Sequence, residues 1–349
     1  MSEIQIFQIR NNTKIKRRHF ETLLQQYRIG YAKPIQLNLK KYGDSFTHPL
    51  YTKIESRLSS SEWRHLLQAA SVRENALMAV RRGDFELAER LFTEARVPLK
   101  ANLLSPEGKL LHETFLEQAE AYLDYRRGNF NRVYIRTFNA LAIDLILEEE
   151  CDYEIMVIHR IQLLLNLVRT EAREGDLKNA VEIASELLGY LQGTLEAVLP
   201  FPDTWGSKRV KCLSSEVLSA TFSQITSEIA LILTVSTPKA SNLFKIASHH
   251  LELSAIDRNC LHRQSYQWLI LKQAIVNQNY RTFLEQASCF IASGRIDAPL
   301  LWYATVVDLF TLCQKFDFPE SKSMIREILR DAPEWKFCSK RLLTALDLK

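Results

Sequence analysis

The chain has 349 residues, of which 46% are hydrophobic and 25% are charged, and its formal net charge is +4 at pH 7. This composition excludes an extensively disordered chain, because disordered chains lack the apolar residues that build a core. So small a net charge gives no argument for nucleic-acid binding. The sequence has only ten glycines and ten prolines, whereas a many-stranded β protein needs turn residues about every 8 to 12 positions. The composition therefore favours long helices.

The cellular location is predicted from the apolar runs and the cysteines. The longest apolar runs, at 161–168 and 229–235, are far shorter than the roughly 20 residues that cross a bilayer. The first residues do not show the charged segment, apolar core and cleavage site of a signal peptide. Six cysteines are scattered without a C-x-x-C pair, which fits a reducing compartment. We expect a cytoplasmic protein that does not enter the membrane.

In chain order, the first predicted segment is basic and partly helical and covers residues 1–60. It contains 11 Lys and Arg residues against 4 acidic residues, which gives a net charge of +7. The densest cluster is KIKRRHF, Lys14 to Phe20, and clusters of this kind bind phosphates or acidic partners. The simpler interpretation is the solvated face of an N-terminal helix, because no interleaved aromatic residues or recognition-helix pattern accompany the cluster.

Residues 61–197 contain three similar stretches, each with a glycine near its start. They are RRGDFELAERLFTEA from Arg81, RRGNFNRVYIRTFNA from Arg126 and REGDLKNAVEIASEL from Arg173. The glycines at 83, 128 and 175 are 45 and 47 residues apart (128 − 83 and 175 − 128). Small or apolar residues occupy matching positions around them, namely Ala76, Ala121 and Val168 before the glycine and Ala88, Val133, Ala180, Ala95, Ala140 and Leu187 after it.

This pattern has a direct physical interpretation as three helix hairpins. Glycine ends a helix because it adopts the left-handed conformation without a side-chain penalty. The Asp or Asn that follows caps the next helix, and the apolar residue after it fills the corner between the two helices. One hairpin cannot bury its apolar face alone, so neighbouring hairpins are expected to stack.

The hairpins resemble the tetratricopeptide repeat (TPR). The first copy matches best, with GDF followed by Ala88, Phe92 and Ala95 at the spacing of that family. Thr137 and Ala184 replace the aromatic residue in the other copies, and the family's unit is shorter, at about 34 residues. The resemblance implies an all-α protein, a TPR-like α-solenoid of stacked antiparallel helix hairpins.

The helical pattern is interrupted at residues 198–212, VLPFPDTWGSKRVKC. We interpret this segment as a loop or boundary in which Trp205 packs against a helix end, and a lid-like insertion is the alternative. Residues 213–349 are predicted to hold further, degenerate repeats of the same array. Their matching positions are Ala240, Phe244 and Ala247 in one copy and the stretch around Tyr280 in another.

Helix starts are predicted wherever a capping side chain is followed by a proline that fits the first helical turn. Four positions fit this pattern, namely Ser105, Ser236, Asp297 and Asp331.

The sequence contains no phosphate-binding loop, nucleophile elbow, zinc-protease helix or dinucleotide motif. Three clusters have residue types used in metal or acid–base chemistry. They are Glu62 with His65; His249, His250, Cys260 and His262; and Glu148, Glu149, Glu150, Asp152 and Glu154. The simpler interpretations are a surface helix turn, a helix end with its turn, and a solvent-exposed connection between two helices. We therefore expect neither a metal nor a cofactor.

The TPR resemblance also implies a candidate binding surface, because the first helix of each hairpin lines the concave face in that family. The matching polar positions of this chain are Arg73, Arg81, Gln118, Tyr122, Tyr125, Arg126, Arg169 and Arg173. Arginine binds carboxylates through two parallel hydrogen bonds, and tyrosine adds apolar area with a polar tip. The alternative is that the arginines near each glycine only stabilise helix C-termini, which favour cations wherever they point.

These observations lead to three functional hypotheses. The first is a non-catalytic adaptor that binds an acidic or carboxylate-bearing segment of another protein, with no nucleic acid or membrane partner. The second is a helical-repeat regulator that senses a peptide or metabolite and acts through the basic N-terminal segment. The third is an enzyme with an unfamiliar helical active site. The sequence leaves homo-oligomerisation open.

Overall fold

The computed structural model describes residues 17–35, 39–194, 199–201, 204–206, 210, 213–235, 239–251, 253, 262–296 and 298–347. The secondary structure of these residues is helical, and no β-strand occurs among them. The protein is therefore all-α, as its composition and apolar spacing predict.

The helices of the first part of the chain are α1 (Arg17–Ala32), α2 (Leu39–Arg57), α3 (Ser60–Arg82), α4 (Phe85–Ala95), α5 (Val97–Lys100), α6 (Pro106–Arg127), α7 (Phe130–Glu150), α8 (Met156–Glu174) and α9 (Leu177–Gln192). Those of the second part are α10 (Ser215–Val235), α11 (Ala240–Ala247), α12 (Arg263–Val276), α13 (Tyr280–Ser293), α14 (Pro299–Cys313), α15 (Pro319–Asp331) and α16 (Lys340–Thr344). A 3-10 turn, Ala332–Glu334, follows α15.

The chain forms two compact units. The central unit comprises Lys40–Ile183 and Glu196–Val217, and the terminal unit comprises Met1–Leu39, Ala184–Leu195 and Leu218–Lys349. The division predicted from the repeats, into 1–60, 61–197, 198–212 and 213–349, concerns sequence similarity rather than compactness and stays a prediction.

Three glycines in the central unit end helices as the repeat pattern predicts. Gly83, Gly128 and Gly175 follow α3, α6 and α8 and have φ values of 83°, 82° and 106°, in the left-handed region. The Asp84 side chain accepts a hydrogen bond from the Leu87 N–H at 3.1 Å. Asn129 was expected to do the same for α7, but its side chain makes no cap hydrogen bond. The turn prediction is confirmed for the glycines and for Asp84, and also for Asp176, whose side chain accepts the Asn179 N–H at 3.0 Å.

The core of the central unit lies where the small residues of the repeats meet. Helices α3 and α4 pack together, α3 also packs on α6, and α6 packs on α7. Small side chains allow this close approach, and larger apolar side chains fill the remaining space. The buried cluster consists of Ala76, Ala79, Val80, Ala88, Phe92, Ala95, Leu116, Ala119 and Leu123.

A row of buried carboxylates on one face of α6 is paired with arginines from neighbouring elements. Arg96, directly after α4, donates to Glu120 at 2.7 Å and 2.9 Å. Arg136 of α7 donates from Nε to Asp124 at 2.9 Å and from Nη1 to Glu117 at 3.1 Å. Because buried charges are costly unless paired, these contacts hold α6 in one orientation against its neighbours.

In the terminal unit, the N-terminal helix packs against helices near the C-terminus. Helix α1 contacts α13 and α15. Tyr27 is buried, stacks on Trp302 with ring centroids 5.8 Å apart, and donates its hydroxyl proton to Asp331 at 3.1 Å. Phe20 is also buried, with its ring 5.3 Å from that of Phe316. The apolar face of α1 is therefore part of the core of this unit.

The basic face of α1 is the other half of the same amphipathic pattern. The Arg17 Nε donates to Glu320 at 2.6 Å, and the Arg28 Nε donates to Glu327 at 3.0 Å. The described part of the KIKRRHF cluster thus begins a helix, and Lys14 to Lys16 lie outside the described residues. The helix interpretation of this cluster is confirmed for Arg17 to Phe20.

Of the four predicted helix starts, one is confirmed in full and one in part. Ser105 caps α6 by accepting the Gly108 N–H at 3.1 Å, with Pro106 in the first turn. Asp331 ends α15 and directly precedes the 3-10 turn Ala332–Glu334, with Pro333 in its first turn. Its side chain makes no cap hydrogen bond, because its buried carboxylate accepts hydrogen bonds from Tyr27 and from Arg330. The other two capping residues, Ser236 and Asp297, lie outside the described residues. The stretch around Tyr280 does form a helix, α13.

Helix α10 is long and apolar enough, by length and composition alone, to span a bilayer over Ser215–Thr234. In this protein 61% of that window is buried. The expectation that every apolar segment is too short to span a bilayer does not hold for this helix. Serines and threonines between its apolar residues interrupt the apolar run without removing its hydrophobic character.

Candidate functional site

The central unit brings several of the candidate residues together around two cavities that share Gln118. The first cavity, of about 270 Å³, lies between α2, α3 and α6 and is lined by Arg73 and Gln118. The second, of about 100 Å³, lies between α6, α7 and α8 and is lined by Gln118, Tyr122, Tyr125 and Arg169. Five of the eight candidate residues therefore border one continuous part of the surface along α6.

Two tyrosines and two arginines form a contact row beside the second cavity. The Arg126 Nη1 donates to the Tyr122 hydroxyl oxygen at 3.2 Å. Tyr122 and Tyr125 stack with ring centroids 6.3 Å apart and an interplanar angle of 18°. The Arg173 guanidinium carbon lies 4.5 Å from the centre of the Tyr125 ring. These contacts restrain the tyrosine rings that line the cavity.

Arg173 also has the contact that the helix-end alternative describes. Its Nη1 donates to the backbone carbonyl oxygen of Tyr125 at 2.5 Å, in the last turn of α6. That carbonyl belongs to the group that an α-helix leaves without an internal partner. Arg173 thus ties α8 to the C-terminal end of α6 as well as packing on a tyrosine.

The three arginines that precede the turn glycines have different surroundings. Arg81 is exposed, its Nη1 lies 3.3 Å from the Met78 sulfur, and it lies outside both cavities. Arg126 and Arg173 pack on tyrosines instead. The common offset in the sequence does not give a common environment, because only the second hairpin carries tyrosines there, and Arg173 of the third hairpin packs on one of them.

The remaining two candidate arginines differ in how their charge is satisfied. The Arg169 Nη1 donates to the Asn166 side-chain oxygen at 3.0 Å. Arg73 is partly buried, and its guanidinium carbon lies 5.2 Å from the centre of the Phe115 ring. Burial lowers the pKa of Arg73. Among the described residues no carboxylate forms an ion pair with the Arg73 guanidinium, although the nearby Glu74, which also lines the first cavity, raises the pKa of Arg73.

The sequence predicted a surface helix turn for Glu62 and His65, but Glu62 does not lie on the surface. Glu62 is buried, and its Oε1 accepts hydrogen bonds from the Ser105 N–H at 2.7 Å and from the Ser105 hydroxyl at 2.5 Å. The correction has a clear cause, since the first turn of α3 packs on Gly108 in the first turn of α6. Glu62 therefore joins two helix N-termini.

The histidine cluster is only partly described, because Cys260 lies outside the described residues. The rings of His249 and His250 are 4.8 Å apart, and burial lowers the pKa of His250. His262 stacks on Phe222 with ring centroids 4.3 Å apart, and burial lowers its pKa to about 4. In the described part of the chain no group of three His, Cys, Asp or Glu residues is arranged to hold a metal ion.

The acidic segment after α7 is only partly solvent-exposed. Glu149, Glu150 and Asp152 are exposed, as expected. Glu148 is buried and pairs with the buried Arg160 at 2.6 Å, which corrects the expectation for this residue. The last turn of α7 carries Glu148 toward α8, where the guanidinium is buried.

The predicted packing of Trp205 against a helix end is confirmed. The Trp205 side chain is buried, and its indole Nε1 donates to the Pro200 carbonyl oxygen at 2.6 Å. The Arg160 guanidinium carbon lies 4.0 Å from the centre of the indole ring. Trp205 therefore covers a buried ion pair near the start of α8 and has no free polar edge.

A polar network in the core was not found from the sequence. His159 contacts Asp144 through Nδ1 at 2.7 Å, and the Thr114 hydroxyl donates to the other oxygen of Asp144 at 2.6 Å. The His159 ring lies 4.7 Å from that of Phe115, which lines the first cavity. These residues come from three helices with no common spacing, so no sequence signal pointed to them.

Comparison of the chain with protein-family models, with curated proteins and with solved structures finds no match. Any functional conclusion therefore rests on the geometry and chemistry of the two cavities along α6.

Proposed function

We propose that the central unit is a TPR-like stack of helix hairpins that acts as a non-catalytic adaptor. Its ligand would be an acidic, carboxylate-bearing segment of another protein, bound along the face of α6 that the two cavities border. One observation carries the proposal: Gln118, Tyr122, Tyr125 and Arg169, taken from two different hairpins, line the same cavity.

The chemistry of this surface suits a peptide with acidic side chains. Tyrosine offers rigid contact area with a hydroxyl at its tip, and both tyrosines are held in place by stacking and by neighbouring arginines. Arg169 adds a planar guanidinium at the same cavity. Arg73 places a second cation beyond Gln118. A bound segment with spaced carboxylates would meet both charges.

A direct test measures binding of defined peptides to the full chain. A library of fluorescent acidic peptides is compared by fluorescence polarisation with matched peptides in which Asp and Glu are replaced by Asn and Gln. We expect acidic peptides to bind and their amide counterparts to bind at least tenfold more weakly, because charged hydrogen bonds are lost. The affinity should fall as salt is raised.

Variants locate the binding surface. Tyr122→Ala and Arg169→Gln should each weaken acidic-peptide binding about tenfold or more, whereas Arg82→Gln, which changes an exposed arginine at the end of α3, should leave it unchanged. Circular dichroism checks that each variant keeps its helix content. Equal binding of acidic and amide peptides, or undiminished binding by both cavity variants, would contradict the proposal.

A further inference from the structure

The first cavity has the composition of a small-molecule site. Its volume is about 270 Å³, and it lies between α2, α3 and α6 of the central unit. Aromatic side chains form much of its wall, namely Phe46, Tyr51, Trp63 and Phe115. Ligand pockets are typically apolar with a few polar groups that fix orientation, and this cavity lies near the lower end of their usual size of about 300–1,000 Å³.

Arg73 is the polar group that distinguishes this cavity. Other arginines inside the same unit are paired, with Arg96 and Arg136 on carboxylates of α6 and Arg160 on Glu148. Arg73 has its cation–π contact with Phe115, and no carboxylate among the described residues pairs with it. Glu74 follows Arg73 along α3, is exposed and also borders the cavity, and its charge raises the pKa of Arg73, but among the described residues no ion pair joins the two side chains.

The histidine on the wall does not supply a second cation. His112 is buried, and its Nε2 bonds the Ala95 carbonyl oxygen at 2.7 Å. Burial lowers the pKa of His112, so the imidazole is neutral at pH 7 and above. Burial also lowers the pKa of Arg73, but a guanidinium starts so high that it remains charged. The cavity therefore combines an aromatic wall with one partly buried guanidinium that has no ion pair among the described residues.

We propose that this cavity binds a small aromatic monocarboxylate, with its ring against the aromatic wall and its carboxylate on Arg73. Size supports this class, because cavities of about 150 Å³ hold a benzene molecule, and the larger volume here leaves room for a short side chain with its acid group. The carboxylate would supply the ion pair that Arg73 lacks among the described residues, through two parallel hydrogen bonds. This ligand site does not rest on the adaptor function proposed above, although both proposals place a carboxylate on Arg73.

The test titrates 3-phenylpropanoate into the full chain by isothermal calorimetry, with 3-phenylpropanamide as the neutral control of the same shape. We expect the acid to bind at least tenfold more tightly than the amide. Arg73→Gln should abolish this preference, and Arg82→Gln should preserve it. Absence of heat from the acid at millimolar concentration, equal binding of acid and amide, or an unchanged preference in Arg73→Gln would each overturn the proposal.

Thermal unfolding separates a lost ligand contact from a misfolded variant. The acid should raise the melting temperature of the wild type and of Arg82→Gln but leave that of Arg73→Gln unchanged, while the helix content of all three stays the same. A stabilised Arg73→Gln variant would contradict the assignment of the carboxylate to Arg73. No peptide is present in either measurement, so failure of peptide binding and failure of this proposal remain distinguishable.

Discussion

Arg160 forms a bidentate ion pair with Glu148, with Nε and Nη2 donating to its two carboxylate oxygens at 2.6 Å and 3.1 Å. The side chains of both residues are fully buried. Removing one partner leaves the other charge buried without compensation, which typically costs about 3–5 kcal/mol. We expect Glu148→Gln to lower the free energy of unfolding by an amount of this order. Urea denaturation followed by circular dichroism measures it.

The matched control for this variant is Glu150→Gln, two residues further along the same acidic segment. Glu150 is exposed, so its replacement should change the free energy of unfolding by no more than about 0.5 kcal/mol. Equal, small effects of both substitutions would mean that the buried pair does not stabilise the central unit.

The repeat pattern predicted the local structure of the central unit because its signals are local. A glycine that must adopt positive φ and a capping aspartate act within a few residues, and both are in place at Gly83 and Asp84. The buried positions Ala76, Ala88 and Ala95 also follow from helical spacing alone. These features need no knowledge of what lies across the helix.

Carboxylates were the main source of error, because burial depends on the partner that the fold supplies. Glu62 and Glu148 look like surface residues in sequence, but Ser105 and Arg160, 43 and 12 residues away, bring hydrogen bonds to them. The packing of α1 against α13 and α15 could not be predicted from the sequence either, since 259 residues separate Lys33 from its hydrogen-bond partner Ala292.

The candidate surface was predictable in part. The positions implied by the TPR resemblance, counted back from each turn glycine, include Gln118, Tyr122, Tyr125 and Arg169, which line one cavity. The same offsets could not tell that Arg73 would have no ion pair among the described residues, because that depends on the charges of every helix packed around it. An environment of this kind exists only after the helices have packed.

The left-handed conformation of Gly83 leads to a second prediction. Its φ is +83°, and a Cβ at this position would meet no atom within 4 Å, so substitution is limited by backbone conformation rather than by space. We expect Gly83→Ala to destabilise the protein by about 1–2 kcal/mol in urea denaturation. Gly83→Asn should cost less, since asparagine tolerates this region better.

Gly206 provides the control for the turn substitution. It is exposed, has no positive φ and also has open space around its Cβ position. Gly206→Ala should therefore be neutral within about 0.5 kcal/mol. If both alanine variants were equally stable, the left-handed turn would have no role in holding the α3–α4 hairpin.

A third prediction concerns the close approach of α1 and α13. A Cβ on Gly30 would overlap the backbone carbonyl oxygen of Ile291, so any larger residue forces the two helices apart. Gly30→Ala should cost about 1–3 kcal/mol, the range for overpacked interiors, and should release α1 first. Hydrogen exchange of the α1 amides would rise in this variant. Ile29→Ala, at a position 49% exposed, should leave that exchange slow.

The stacking of His262 on Phe222 gives a pH dependence whose sign is fixed. Burial lowers the pKa of His262 from 6.5 to about 4, so between these values the unfolded chain binds a proton that the folded chain does not. The resulting stability is complete above about pH 6.5 and is lost as the pH falls toward 4. His262→Phe keeps the ring stack without a titrating group. Its free energy of unfolding minus that of the wild type should therefore increase steadily as the pH falls from 6.5 to 4. Denaturation curves measured from pH 7 to pH 4 check this, and a constant difference between the two proteins would show that His262 is not the group that titrates.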